Sequence, residues 1–359
     1  VQWIIAFRGL MPNLPAKPGS KIALLLTGGG ARAAYQVGVL KAIASAYPRS
    51  SPLPFQIICG TSAGALNGAG LACYASCFHL GVKKIESVWR NFRTQQVYHA
   101  DYLHLIQHQF RNFYSAFQAD YANKRPVSLL DNRPLKQLLT RILDLQRIDR
   151  NIMRGYLSSF AVTASCYNNG DSVTFFQSDH ASEWRRAKRC GQRTLLGIHH
   201  LMASAAIPLI FPSVRIHQQY FGDGSVNQLA PLSAPIHLGA DKILIIGVDD
   251  PRPNEPSQRL LHHPDLATIA GHLMDTVFTD TLNSDIERMQ RINKTVARAE
   301  TARDEGVQFQ FAGGRVLLVE QVVHVHREVH HSKTTGRQLS NNAITTDHGV
   351  RWQRCGFDL

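Results

Sequence analysis

Residues 21–32 read KIALLLTGGGAR, and residues 55–64 read FQIICGTSAG. In each stretch a short apolar run ends at glycines, and helix-forming residues follow, at 31–46 and at 63–75. An apolar run that stops at glycine is typical of a strand that is buried on both faces of a parallel sheet. Two successive strand–glycine turn–helix units therefore predict an α/β fold with helices on both faces of the sheet.

The rest of the chain predicts further elements of the same sheet and divides into regions by composition. We expect strands at 160–165, 172–176 and 242–248, and helices at 134–145 and 196–206. The predicted regions are a proline-rich leader at 1–19, a main domain at 20–250 with a helical insertion near 78–155, and an extension at 251–359. That extension is predicted to be helical and then a strand, packed on the same domain.

Ser62 lies at the centre of a Gly-x-Ser-x-Gly pattern, Gly60-Thr61-Ser62-Ala63-Gly64, between a predicted strand and a predicted helix. Such a turn is sharp and holds the serine hydroxyl outward, and side chains at the flanking glycines would obstruct it. The N-terminus of the following helix adds positive potential. A chance glycine-rich turn is the alternative, but the strand before Ser62 and the helix after it favour a nucleophile.

The glycine run Gly28-Gly29-Gly30 and the following Arg32 predict a site for an anion. Tandem glycines between a strand and a helix leave backbone N–H groups that can point at a phosphate or at the oxyanion of a tetrahedral intermediate. A dinucleotide fingerprint would need a third glycine at Gly-x-Gly-x-x-Gly spacing, and a Walker loop would need Gly-Lys-Ser/Thr, and neither is present. An oxyanion loop, with Arg32 adding positive charge, is therefore favoured over a nucleotide site.

Asp223 precedes Gly224 at a predicted strand-ending turn and is the candidate base. A serine hydroxyl needs a base because it does not ionise near neutral pH. Asp-Gly alone predicts only a turn, but beside a nucleophile and an oxyanion loop Asp223 can take the proton from Ser62. A serine–histidine–acid triad is the rival arrangement. The histidines after Asp223 that were weighed for it are His237, His262, His263 and His272, and none has the expected local setting.

Composition limits the classes of partner. The formal net charge of +13, from 39 Lys and Arg against 26 Asp and Glu, favours an anionic partner. Because there is no zinc-finger spacing, RNA-binding signature or long basic run, we expect peripheral contact with an anionic membrane rather than with nucleic acid. No run approaches the roughly 20 apolar residues of a membrane-spanning helix.

The six cysteines have no disulfide-like spacing, which predicts reduced thiols and folding in the cytoplasm. Export without a signal peptide stays open. His324 and His326 would share one face of a strand, but a polar strand face is the favoured interpretation, so we expect no metal and no cofactor.

The three motifs together resemble the patatin-like phospholipase family, whose pattern is a glycine-rich oxyanion loop ending in Arg or Lys, a Gly-x-Ser-x-Gly elbow, and Asp-Gly-Gly or Asp-Gly-Ala. Further stretches are similar to the bacterial members: SLLD at 128–131 with Pro134-Leu135, ASAAIP at 203–208 with Phe211-Pro212, and Gly239-Ala240-Asp241. The resemblance covers roughly residues 21–250. It implies a three-layer α/β/α sandwich with a mostly parallel central sheet, a Ser–Asp dyad, and hydrolysis of lipid acyl esters without a metal. Ser225 departs from the usual Gly or Ala, and we expect it to be tolerated and able to hydrogen-bond Asp223.

The resemblance implies a phospholipase A or lysophospholipase, with Ser62 as nucleophile, Asp223 as base, and the Gly28–Gly30 amides with Arg32 as the oxyanion site. The alternatives are a non-catalytic or weakly active lipid-binding module on the same fold, and a general carboxylesterase. A nucleotide-binding protein is a third, weaker option.

Overall fold

The computed structural model describes residues 20–98, 128–228, 230–248, 282, 284–294 and 316–319. The predicted leader at 1–19, the middle of the predicted insertion, and most of the predicted extension lie outside these residues. The boundaries of the three predicted regions therefore stay predictions.

In the described part of the chain, ten strands form one sheet. They are β1 Ile22–Leu26, β2 Ile57–Thr61, β3 Ser159–Cys166, β4 Ser172–Ser178, β5 Trp184–Arg186, β6 Arg189–Arg193, β7 Val214–Ile216, β8 Gln219–Asp223, β9 Lys242–Ile246 and β10 Val316–Val319. The helices of these residues are α1 Ala34–Ala44, α2 Ala63–Cys73, α3 Phe78–Arg90, α4 Arg133–Ile142, α5 Gln146–Met153, α6 Ile198–Ser204, α7 Ser233–His237 and α8 at 284–294. Short 3-10 turns cover Gly30–Ala33, Thr94–Gln96 and Gly224–Val226.

The sheet is mixed, with a parallel centre. Its order is β10-β9-β1-β2-β3-β4-β6-β5, and β8, which pairs with β7, joins the end of β3. The central neighbours β9, β1, β2 and β3 run parallel, as do β4 and β6. The hairpin β3–β4 and the outer pairs β10–β9 and β5–β6 are antiparallel. The predicted α/β class is confirmed.

Alternate side chains of the central strands enter two separate cores, one on each face of the sheet. Leu24 and Leu26 pack with residues of α1 to α6. Leu25, between them in sequence, packs on the other face with Leu238 and with Met289 of α8. Each large aliphatic side chain that is fully buried contributes about 1.5–3 kcal/mol. Burial on both faces explains why the sequence of β1, IALLL, is apolar without alternation.

Some boundaries differ from the predictions. The strand predicted at 55–59 lies at Ile57–Thr61, so it reaches the elbow serine directly. The helix predicted from Ala31 begins with the 3-10 turn Gly30–Ala33 and is α-helical from Ala34. The sequence does not predict β5 and β6, because WRR and RCGQR are polar and lack an alternating pattern.

No helix in the described part of the chain combines the length and the apolar content needed to cross a bilayer. The five cysteines within the described residues are free thiols.

Candidate active site

Ser62 occupies a strained turn between β2 and α2. Its backbone angles, φ 53° and ψ −127°, are rare for a residue with a side chain and cost on the order of 1–3 kcal/mol. The side chain is almost fully buried, at 4% exposure. The predicted strand–turn–helix setting of this serine is therefore present.

The two glycines that flank the elbow are required by close backbone contacts. A Cβ on Gly64 would lie 2.3 Å from the carbonyl oxygen of Leu26 and 2.5 Å from that of Thr27. A Cβ on Gly60 would lie 2.6 Å from the Cα of Ala65. The first turn of α2 is therefore packed directly against the end of β1, which places the elbow beside the glycine loop.

The sheet topology brings Asp223 to Ser62. On one edge of β3, residues 159–163 pair with β2 and residues 164–166 pair with β8. Because β4 covers the opposite edge of β3, β2 and β8 share one edge and meet end to end. Asp223, the last residue of β8, therefore lies opposite the elbow, and the Ser62 Oγ donates a hydrogen bond of 2.5 Å to its Oδ2.

Asp223 is completely buried, and its environment changes its basicity. Burial raises the pKa of Asp223 to about 6, and hydrogen bonds from Ser62 and Ser225 oppose that rise. The Ser225 N–H donates to Oδ1 at 2.9 Å, so both carboxylate oxygens have a donor. A Gly or Ala at position 225 could also donate that backbone bond, whereas the hydrogen bond that the Ser225 side chain makes to Asp223 is specific to the serine. A carboxyl group with a pKa near neutrality is a better base than an ordinary aspartate.

The glycine run lies directly against Ser62. A Cβ on Gly28 would lie 3.2 Å from the Cβ of Ser62 and 2.4 Å from the Oγ of Ser225, so a larger residue there would require both serines to shift. Gly29 has φ 146°, in the region that favours glycine. Within the described residues, the amides of Gly28 and Gly29 donate to no acceptor. Arg32 lies in the exposed 3-10 turn that follows, and its N–H donates to the Gly29 carbonyl at 3.0 Å.

Ser204 is a site residue that the motif analysis did not single out. The Ser62 N–H donates to Ser204 Oγ at 2.9 Å, and that hydroxyl donates to the Thr163 carbonyl at 2.6 Å. The elbow amide is thereby occupied, and the hydrogen bond fixes the strained turn. The only sequence signal near Ser204 is the stretch ASAAIP at the end of α6, which indicates the family resemblance but not this role.

The rival sites have no support within the described residues. No described histidine bonds to Ser62 or to Asp223; the ring of His237 stacks on Trp184 and bonds to the Ser233 carbonyl. The other triad candidates His262, His263 and His272, and the pair His324 and His326, lie outside the described part of the chain. No cluster of potential metal ligands occurs among the residues that the structure describes.

The sequence is similar to a known protein family. The family model described as patatin-like phospholipase matches residues 24–236, which is more than half of the chain. That range contains the glycine loop, the elbow and Asp223. A comparison with curated proteins finds no match. The chain belongs to the patatin-like phospholipase family, which supports a hydrolase that acts on lipid esters.

Proposed function

We propose that the protein hydrolyses fatty-acyl esters of phospholipids or lysophospholipids through a Ser62–Asp223 dyad. The observation that carries the proposal is the 2.5 Å hydrogen bond from the buried Ser62 hydroxyl to the Asp223 carboxylate. A serine in this position can transfer its proton to the base while it attacks.

The reaction has two steps. The Ser62 Oγ attacks the ester carbonyl carbon while its proton passes to Asp223. The tetrahedral intermediate collapses to an acyl-Ser62 ester, and the leaving alcohol takes the proton from Asp223. Water then attacks the acyl ester, Asp223 accepts its proton and returns a proton to Ser62 Oγ, and the fatty acid leaves.

The amides of Gly28, Gly29 and Gly30, with Arg32 adding positive potential, are proposed to stabilise the oxyanion. Two observations support this role: Gly28 lies against Ser62, and the Ser62 amide is already bound to Ser204. In other hydrolases, removal of a single oxyanion donor costs roughly 3–4 kcal/mol of transition-state stabilisation.

The direct test compares wild type with Ser62→Ala on phospholipid and lysophospholipid vesicles. Wild type is expected to release fatty acid, and Ser62→Ala is expected to fall to background, because no nucleophile remains in the elbow. Ser45→Ala, at an exposed serine whose hydroxyl donates to the local Ala42 carbonyl, is the matched control and should retain activity. Release above background that is equal in wild type and Ser62→Ala would contradict Ser62 as the nucleophile, and release at background by both proteins would favour a lipid-binding module. Turnover confined to short soluble esters would favour a general carboxylesterase.

We also propose peripheral binding to anionic membranes, supported by the formal charge of +13 and by two exposed leucines. Leu209 and Leu129 are 72% and 52% exposed, and the Leu129 N–H donates to the Leu209 carbonyl at 2.8 Å. Leu209 lies in the loop after α6, three residues beyond Ala206, whose carbonyl binds the Asp223 N–H. The pair is thus on the active-site end of the sheet.

Leu129→Ser/Leu209→Ser is expected to weaken binding to anionic vesicles at least about tenfold, because insertion of leucine into lipid is favourable by about 1.5–3 kcal/mol per side chain. Vesicle sedimentation measures it. Leu195→Ser is the matched control, since Leu195 is 73% exposed but follows β6 at the opposite end of the sheet. An equal loss of vesicle binding in Leu195→Ser, or no loss in the double variant, would contradict the proposal that this end of the sheet faces the membrane.

A further inference from the structure

Three buried or half-buried polar side chains form a hydrogen-bonded chain behind the elbow. Trp89 of α3 donates its indole N–H to the Asn67 Oδ1 at 2.8 Å. The Asn67 Nδ2, on the elbow helix α2, donates to the Gln36 Oε1 at 2.9 Å and to the Ala33 carbonyl at 3.1 Å. Gln36, on α1, is 0% exposed and Asn67 is 2% exposed. The general mechanism of the dyad uses none of these side chains.

The direction of this chain is fixed by its first member. An indole nitrogen can only donate, so the Asn67 atom that faces Trp89 must be the oxygen. The Asn67 amide nitrogen then faces Gln36, whose nearer atom must be the oxygen. The Gln36 amide nitrogen therefore points away from Asn67 and is available as a donor.

That donor holds the strand ends from which the glycine loop begins. The Gln36 Nε2 donates to the carbonyls of Thr27 and Ile246, at 2.9 and 3.2 Å. Thr27 is followed by Gly28. The peptide unit that joins them is planar and trans, so its carbonyl and the Gly28 N–H point in opposite directions. A side chain that fixes the Thr27 carbonyl therefore also fixes the direction of the Gly28 N–H.

We propose that Gln36 is a positioning residue that aims the Gly28 amide at the oxyanion, and that Asn67 and Trp89 set the orientation of Gln36. This inference rests on the proposed acyl-transfer function. Gly28 lies against Ser62, so a small rotation of the Thr27–Gly28 peptide turns a donor away from the reacting carbonyl. A misplacement of about 1 Å can cost roughly 100-fold in rate.

Asn151 provides a matched control. Its Nδ2 also bridges two carbonyls, those of Ala72 and Cys73, at 2.8 and 3.2 Å, and it is 6% exposed. Those carbonyls lie at the far end of α2 from Ser62. Gln36→Met and Asn151→Leu each remove a buried amide of similar environment, so both should lower the melting temperature, but only the first touches the oxyanion loop.

The test measures kcat and KM on a lysophospholipid, and the rate constant for inactivation by a fluorophosphonate, well below the melting temperatures of the variants. Gln36→Met is expected to lower kcat about 10- to 100-fold with KM within about twofold. Its fluorophosphonate rate should fall in parallel, because that reaction also places a charged oxygen in the oxyanion site. Asn151→Leu should retain both rates.

Trp89→Phe keeps the test independent of the folding of Gln36→Met, since it removes the indole N–H of a half-buried side chain while an aromatic ring remains in its place. Trp89→Phe should lower kcat about 3- to 10-fold at unchanged KM. Without the indole N–H, the side-chain amide of Asn67 can rotate so that its oxygen and nitrogen exchange places. Ser62→Ala belongs to the same experiment. If Ser62→Ala is active, the proposed function is contradicted. If it is inactive while Gln36→Met and Trp89→Phe keep the kcat of Asn151→Leu, only the positioning role is overturned.

Discussion

Asp223→Asn is expected to lose about 100- to 10,000-fold of the hydrolytic rate while unfolding at a higher temperature than wild type at neutral pH. The loss of rate follows because an amide cannot accept the Ser62 proton, and a positioned general base typically contributes this much. The gain in stability follows because the substitution removes a charge from a completely buried site. The asparagine can still accept from the Ser225 N–H and face Ser62, so its hydrogen bonds are retained.

The gain in stability of Asp223→Asn should depend on pH within a defined range. The pKa of Asp223 is raised from 3.8 to about 6 in the folded protein, so between about pH 4 and pH 6 the folded state binds more protons than the unfolded state. The free energy of unfolding of wild type therefore falls as pH rises through this window. At about 1.4 kcal/mol per pKa unit, Asp223→Asn should gain up to about 3 kcal/mol above about pH 7 and almost nothing near pH 4. Wild-type kcat/KM should rise over the same window, with a midpoint near pH 6.

Urea unfolding at about pH 4 and about pH 7.5, with kcat/KM across the same range, measures both effects. Asp285→Asn is the control, because burial also raises the pKa of Asp285, which lies in α8 on the other face of the sheet. It should gain stability at neutral pH but keep full activity. An Asp223→Asn variant that retains activity, or that is equally destabilised at both pH values, would overturn the assignment of Asp223 as a buried base.

Gly64→Ala is expected to lose at least about 2 kcal/mol of stability through the addition of a single methyl group, with a loss of activity of about 100-fold or more. The added Cβ would overlap the carbonyls of Leu26, the last residue of β1, and of Thr27, which follows it; these are backbone atoms and cannot rotate away as a side chain can. The elbow helix must move off β1, and Ser62 and the glycine loop separate.

Gly38→Ala is the matched control, since Gly38 is an exposed helical residue with no atom within 4 Å of an added Cβ. It should raise stability by about 0.5–1 kcal/mol, because alanine loses less conformational entropy in a helix. Thermal and urea unfolding of both variants measures the difference. A Gly64→Ala variant as stable and active as Gly38→Ala would contradict the close contact between α2 and β1.

The sequence predicted those parts of the fold that depend on local patterns. The apolar runs that become β1 and β9 end close to the predicted residues, because strands buried on both faces need unbroken apolar sequence. The strained turn at Ser62 follows from the glycines around it. The match to the family over 24–236 confirms the resemblance that the motifs indicated. The roles of Ser62, Asp223 and the glycine loop stay predictions.

Other parts could not be derived from local patterns. The end-to-end meeting of β2 and β8 on one edge of β3 depends on strand pairings between residues more than 50 positions apart in sequence. These pairings bring Asp223 to Ser62. Ser204, Gln36 and Asn67 have ordinary sequence settings, and their contacts are made only when several elements pack together. The strands β5 and β6 are polar because they lie at the margin of the sheet, where a hydrophobic pattern is not required.

The most direct test of the central claim is mass spectrometry of the protein after reaction with a fluorophosphonate. A single adduct per chain is expected, located on the peptide that contains Ser62, with no adduct on Ser62→Ala and slow labelling of Asp223→Asn. An adduct on a different residue of an active enzyme, or full labelling of Ser62→Ala, would contradict the assignment of Ser62 as the nucleophile.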